Sequence, residues 1–258
     1  MKLTENNYYS KEANRKYMSA SQLKSFMKCE AAALAELNQE KEPPDSQALF
    51  LGSFVDELLT GTKETQEKFI KENHSKLFKK NGEPYADVAK ALYAVDEVKK
   101  QPLMMKYLSG EHQTIMTGVI EGVEFKIKMD SYKPHEFIAD LKYLASLRSP
   151  NLFDNVVKYW GYDTSMAIYQ EIVYQNTGER LPIYLVIVTK DIVPRKAVCE
   201  IKQWNLDDAL DIAKKRLPRI IAVKNGEIET ERCNECNYCA ATEILTEIID
   251  SDMLGISK

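Results

Sequence analysis

No stretch of this sequence is apolar for the roughly 20 residues that a helix needs to cross a bilayer. Its first residues, MKLTENNYYSKEANRKYMS, lack the apolar centre of a secretory leader, so the expectation is a cytoplasmic chain with no membrane partner. Basic charge is not in excess: 35 Lys and Arg face 39 Asp and Glu, a net charge of −4. That balance argues against a protein that coats nucleic acid non-specifically, but not against an enzyme with one local basic channel. Glycine is sparse, 10 in 258 residues, and nowhere forms a phosphate-cradling loop. The three histidines, His74, His112 and His135, make no metal-ligand pair at helical spacing, and no Ser-His-Asp order stands out. His135, beside Pro134, reads as an exposed turn residue. No repeat, low-complexity tract or Gly/Ser linker divides the chain. Its 44% hydrophobic content is ample for one core. The expectation is a single domain over 1–258, with a polar N-terminal segment (1–18), a helical part (19–110), a sheet core (111–225) and a cysteine-bearing end (226–258).

Periodicity assigns the elements. Leu23, Phe26, Met27, Ala31, Leu34 and Leu37 recur at helical spacing within 19–38, after Ser19 or Ser21 as N-cap, and Pro43-Pro44 breaks the pattern. A second helix is predicted over about 46–59, and further helices over 62–110, separated by Asn81-Gly-Glu-Pro84 and by Pro102. Strand signals run over 113–120, turn at Glu121-Gly122 and continue over 125–129. A second short run, 136–139, follows a turn at Lys133-Pro134. A loop or short helix spans 151–159, and an amphipathic helix covers about 162–177 before Gly178. Strands at 183–189 and 197–201 flank a turn with Pro194, and a helix runs from Asn205 to about Val223. This order fits an α/β fold with a mostly antiparallel central sheet flanked by helices.

The chemistry concentrates in EFKIKMDSYKPHEFIADLKYL, residues 124–144. Asp130 closes the first run, Asp140 closes the second, and Lys142 follows two residues later. Alternate residues of a strand share a face, so Asp140 and Lys142 project together and a hairpin turn brings Asp130 beside them. Two carboxylates suit Mg²⁺, which takes oxygen ligands and keeps several waters. Such an ion activates water and neutralises charge on a phosphodiester under attack. A lysine beside it orients the water or stabilises developing charge. The competing reading of D-x₉-D-x-K is a solvated polar hairpin. Lys126, Lys128, Lys142, Arg148 and Lys158 crowd near this stretch as a candidate basic patch. Asp56, four residues after Gly52 on a predicted helix, is a candidate third carboxylate, the glycine letting another backbone come close. Gln170 and Tyr174 share a helix face and are candidates for phosphate or sugar contact, against a surface Gln and a core Tyr.

Five cysteines complete the inventory. Cys233-x₂-Cys236-x₂-Cys239, with Cys29 far upstream in the first helix, can wrap an iron–sulfur cluster or one Zn²⁺, or remain unmetallated. Cys199, in an apolar strand, reads as a buried inert thiol.

Taken together, G-x₃-D, D, D-x-K and Q-x₃-Y resemble the PD-(D/E)XK nuclease superfamily, RecB-like branch. Within it the chain is similar to the phage and prophage exonuclease VIII (RecE-like) group. The phrases MSASQLKSFMKCEAAAL, LGSFVDELL, TGVIEGVEFKIKMDSY, IADLK, YQEIVYQNTG and ERCNECNYC carry the likeness, from about Tyr17 to Leu245. The resemblance implies a metal-dependent deoxyribonuclease, a 5′ to 3′ exonuclease resecting linear duplex DNA for single-strand annealing recombination. Asp130 and Asp140 would bind Mg²⁺ (or Mn²⁺) with the Leu141 carbonyl, and Asp56 would stand where many relatives carry His. Lys142 would be the catalytic lysine, with Gln170 and Tyr174 contacting DNA or bracing the site. Tyr143 replaces the Thr common after that lysine. Cys29, Cys233, Cys236 and Cys239 resemble the [4Fe-4S] clamp of AddAB-type helicase-nucleases, with a shorter last spacing and Zn²⁺ as the alternative. Implied partners are DNA ends, a RecT-type annealing protein and further copies of the chain in a ring. The competing functions are a non-cleaving DNA-end or recombination-partner module and a structure-specific endonuclease.

Overall fold

The computed structural model describes residues 1–258 apart from 39–45, 151, 153, 245–247, 249–251 and 253–258. The expected break at Pro43-Pro44, the start of the 151–159 loop and the end of the likeness at Leu245 lie outside the described residues.

The N-terminal segment is more than a polar tail. It forms α1 (Lys11–Lys16), capped by the Ser10 side chain, and buries Tyr8, Ala13, Tyr17 and Met18. The helix expected over 19–38 divides into α2 (Ala20–Lys28) and α3 (Glu30–Leu37). Cys29 stands at the break with extended backbone, φ −161° and ψ 107°, ending one helix and starting the next. The apolar period runs through this break because Leu23, Phe26, Leu34 and Leu37 of the two helices share one core, although Met27 is exposed and Ala31 packs beside the cysteines, and so periodicity alone merged them.

Next come α4 (Gln47–Thr60), α5 (Lys63–Glu72), α6 (His74–Leu77), α7 (Ala86–Lys99) and α8 (Pro102–Tyr107). Pro102 opens α8 rather than merely breaking a helix, since its missing N–H is one the first turn leaves unused. Strands β1 (Thr114–Ile120) and β2 (Val123–Met129) form an antiparallel hairpin of their own. A second sheet holds β3 (Ser131–Lys133), β4 (Phe137–Leu144), β5 (Ile183–Thr189) and β6 (Lys196–Ile201), in that order. Its outer pairs are antiparallel and its central pair, β4 with β5, is parallel. The parallel pair requires a crossover, supplied by α9 (Val156–Tyr159) and α10 (Tyr162–Thr177). Gly161 and Gly178 bound α10 at φ 60° and 77°, left-handed positions that glycine adopts without a Cβ clash. After β6, α11 (Gln203–Lys224) starts two residues before the expected Asn205 and accommodates Pro218, and α12 (Asn237–Ala241) carries the last cysteine.

The central sheet is covered on both faces. Ile138, Ile183, Leu185 and Ile187 pack with α2, α10 and α11 on one side. Phe137, Ala139, Leu141, Tyr143, Val186 and Val188 pack with α4, α7 and α8 on the other. This is the expected α/β fold, a sheet flanked by helices. In the strands around the site two details differ from expectation: β4 continues to Leu144, so Asp140 lies within the strand rather than at its end, and the strand run is interrupted at Asp130.

Candidate active site

Strand parity builds the site. Ile138 points into the core beneath α2 and α10, and Asp140 and Lys142 follow it on that face. Asp140 is 5% exposed and pairs with the Lys142 ammonium. The β3–β4 register pairs Ser131 with Ala139, so Asp130 falls opposite Asp140 one step beyond the last pair. Asp130 lies in the gap between β2 and β3: its carbonyl is 2.9 Å from His112 Nδ1, and its Oδ2 accepts the Leu141 N–H at 3.0 Å. Lys142 in turn donates to the Leu141 carbonyl at 3.3 Å. Asp56 comes from α4, whose Phe54, Val55 and Leu58 pack on the far side of the sheet. Its Oδ2 accepts from Gln113 Nε2 at 3.0 Å and its Oδ1 from Thr60 Oγ1 at 3.1 Å.

All four side chains line one cleft of about 1190 Å³. Burial, then Asp140 and Asp56, push the Asp130 carboxyl well above the ordinary range. Asp56 is raised by burial, with Thr60 opposing and Asp140 adding to the rise. Burial opposes a charge on Lys142, but Asp140 and then Asp130 outweigh it and raise its pKa, so the ammonium persists. Lys24 on α2 is lowered to about 8 by burial and by the nearby Lys142. It caps the cleft wall by donating to the Trp160 carbonyl at 3.3 Å.

The structure thus brings together Asp56, Asp130, Asp140, Leu141 and Lys142. It does not bring Gln170 or Tyr174 there. Gln170 is buried, donating to the Leu181 carbonyl at 2.9 Å and exchanging hydrogen bonds with Gln203 of α11. Tyr174 carries Arg180 over its ring at 4.7 Å. The face of α10 that lines the cleft is instead Tyr162, Ser165, Met166 and Tyr169, also at helical spacing. Tyr169 fixes the wall by donating to the Lys128 carbonyl at 3.1 Å. Of the expected basic patch, Lys126, Lys128 and Lys142 line the cleft, but Lys126 is 1% exposed and spent on Tyr8 and Asn14. Arg148 and Lys158 lie outside the cleft lining, and Lys158 pairs with Asp163 at 3.0 Å. Lys24 and Lys190 take their places. Gly52 also lines the cleft, but a Cβ there would meet nothing within 4 Å, so no backbone approaches it as the sequence suggested.

Residues 19–242 match the family described as a PDDEXK-like domain of unknown function (DUF3799). The chain belongs to that PDDEXK-like family. It is also similar to a crystal structure from Eubacterium rectale described as a "putative exonuclease". Identity is 39%, with a TM-score of 0.90 over 99% of this chain and 100% of that one. No curated protein matches. Fold and family agree on a PDDEXK-like domain, and the neighbour's description is that of a nuclease.

The donors present fit a hard divalent cation. Three carboxylates converge, all oxygen donors, and two of them, Asp130 and Asp56, are driven toward protonation by burial and by Asp140. Asp140 Oδ2 is buried and faces the Lys142 ammonium. The repulsion among the three carboxylates is what a bound cation relieves.

Away from this cleft, Cys29, Cys233, Cys236 and Cys239 form a second cluster, with ligand atoms all within 4.8 Å of one another. It meets the donor requirements of a metal site. Cys199 stands apart on β6, half-buried, with burial raising its thiol pKa. His135 sits in the β3–β4 turn, 2.8 Å from Glu179. Among the described residues no helix is long and apolar enough to cross a membrane.

Proposed function

We propose that the chain is a Mg²⁺-dependent deoxyribonuclease that degrades linear duplex DNA from its ends, 5′ to 3′. The convergence of Asp56, Asp130 and Asp140 on the Lys142 ammonium in one cleft carries this reading. Asp56, Asp130, Asp140 and the Leu141 carbonyl would hold the ion, Mn²⁺ serving as a substitute. When bound, the ion supplies an acidified water and charge neutralisation at the scissile phosphate. Lys142, kept protonated by its carboxylate neighbours, orients the attacking water and balances charge on the phosphate oxygens. Leu141 N–H fixes the Asp130 carboxylate in register with the strand. Lys24, Lys128 and Lys190 around the cleft, rather than overall charge, draw the phosphate backbone in. The product strand would pass to a RecT-type annealing partner, and a ring of copies would hold the enzyme on its track.

The test is incubation of purified protein with Mg²⁺ and either linear or covalently closed circular duplex DNA. Loss of the linear form alone, blocked by phosphorothioates at the 5′ ends, is expected. Cutting of the closed circle would make it an endonuclease, and binding without cutting would make it an end-binding module.

A further inference from the structure

We propose that Cys29, Cys233, Cys236 and Cys239 hold a single Zn²⁺ ion, rather than the [4Fe-4S] cluster of the similar helicase-nuclease clamp. The size of the sulfur tetrahedron decides it. Cys29 Sγ lies 3.6 Å from Cys239 Sγ and 3.8 Å from Cys236 Sγ, and Cys233 Sγ lies 3.9 Å from Cys239 Sγ. Four sulfurs about 2.3 Å from one tetrahedral ion stand about 3.8 Å apart. In a four-iron cube each thiolate binds a different iron, so the sulfur tetrahedron is wider by a whole iron–iron edge. A group whose ligand atoms all fall within 4.8 Å of one another leaves no room for that cube.

The surroundings suit a closed structural ion. Four thiolates fill a tetrahedron and leave no open position for water, which sets this site apart from a catalytic zinc. The two-residue spacings let the chain fold back on its own sulfurs. Cys236 N–H donates to Cys233 Sγ at 3.4 Å and Cys239 N–H to Cys236 Sγ at 3.5 Å. Asn234, at φ 59°, makes the turn between the first two ligands. Arg232 ties the knuckle together through the Cys239 carbonyl at 2.8 Å and Thr242 Oγ1 at 2.7 Å, and brings positive charge to a dianionic centre. Zn²⁺, with no geometric preference of its own, accepts this soft tetrahedral set.

The fourth ligand explains the helix break. Cys29 has the extended backbone that separates α2 from α3. A salt bridge locks the same junction: Arg219 donates to both Glu30 oxygens at 2.7 and 2.9 Å, and Glu231 N–H reaches Glu30 Oε2 at 2.8 Å. Lys24 and Ser25 of α2 and Ala33 and Glu36 of α3 line the catalytic cleft. The ion therefore pins one wall of that cleft to the far end of the chain. The zinc assignment rests on sulfur geometry and stands whether or not the cleft cleaves DNA.

The experiment is metal and sulfide analysis of the full-length protein purified anaerobically from iron-supplemented cells. Expected are about one zinc per chain, no acid-labile sulfide and no visible colour. Replacing zinc with Co²⁺ should give the intense red-region absorption of a tetrahedral thiolate complex. Cys199→Ser should keep the metal, whereas Cys236→Ser should lose it and lower Tm by roughly 10 °C. If Cys236→Ser does not fold, release of zinc from the parent on titrating its thiols with a mercurial gives the same readout. Four irons with sulfide, one iron without sulfide, or four free thiols and no metal would each overturn the assignment.

Discussion

Asp140 and Lys142 divide the chemistry between them. Asp140→Ala removes an oxygen donor from the centre of the site, and turnover should fall roughly a thousand-fold with the fold intact. Lys142→Ala leaves every oxygen donor in place, so calorimetry should give Mg²⁺ affinity near the parent value while turnover collapses. Asp130→Asn separates charge from shape. The folded Asp130 pKa is raised by burial and by its carboxylate neighbours, so the group costs stability that shrinks as pH falls through the folded value and is gone below the ordinary carboxylate range. In chelator at pH 7, Asp130→Asn should therefore melt higher than the parent, and added Mg²⁺ should raise the parent's Tm but not the variant's. Gly52 tests the space above these groups. Gly52→Leu adds a side chain where nothing stands within 4 Å, on a helix that prefers it. Tm should hold or rise while DNA affinity drops roughly tenfold, as read by fluorescence anisotropy.

Helix α10 shows what a sequence leaves undecided at the scale of an element. Its period is plain, but two stripes satisfy it, and Gln170–Tyr174 is the one with polar appeal. The stripe that lines the cleft, Tyr162 to Tyr169, is one turn earlier and rotated. Gln170 is a buried amide satisfied by Leu181 and Gln203. Gln170→Ala should cost about 1–3 kcal/mol in urea unfolding and leave DNA affinity unchanged. The D-x-K pair was legible because strand alternation alone places Asp140 beside Lys142. Gln113, which orients Asp56, was not, because nothing local tells a glutamine at a strand's edge that a helix carboxylate will arrive there. The break at Cys29 was hidden for a related reason: the ligands that explain it lie about two hundred residues away.

Across the whole molecule, the N-terminal segment is fastened by two lysines, Lys126 buried and Lys224 half-buried. Lys126 meets Tyr8 and Asn14, and Lys224 donates to the Asn14 carbonyl at 3.3 Å and Gln22 Oε1 at 3.2 Å. Burial lowers both to about 8, the neighbouring Lys224 adding to the effect on Lys126. Below pH 8 folded and unfolded chains are both protonated, and the cost is constant. Between about 8 and 10.5 the unfolded chain holds more protons, so stability should rise with pH, and Lys126→Met should flatten that rise in urea titrations. The two-sided core has a further consequence, for the genetics of the chain. Residues 138 to 144 are locked to β5 residue by residue, and each neighbour faces the opposite core. Deleting codon 138 or 139 would send Asp140 and Lys142 into the apolar layer of Leu141 and Tyr143 and turn those two out beneath α2. Codons added at 134–136, between the β3 and β4 pairings, displace no strand pair, only the turn contacts of His135 and Glu136. The distance between the two aspartates is thus free to drift among descendants of this gene, while the single residue between Asp140 and Lys142 is not.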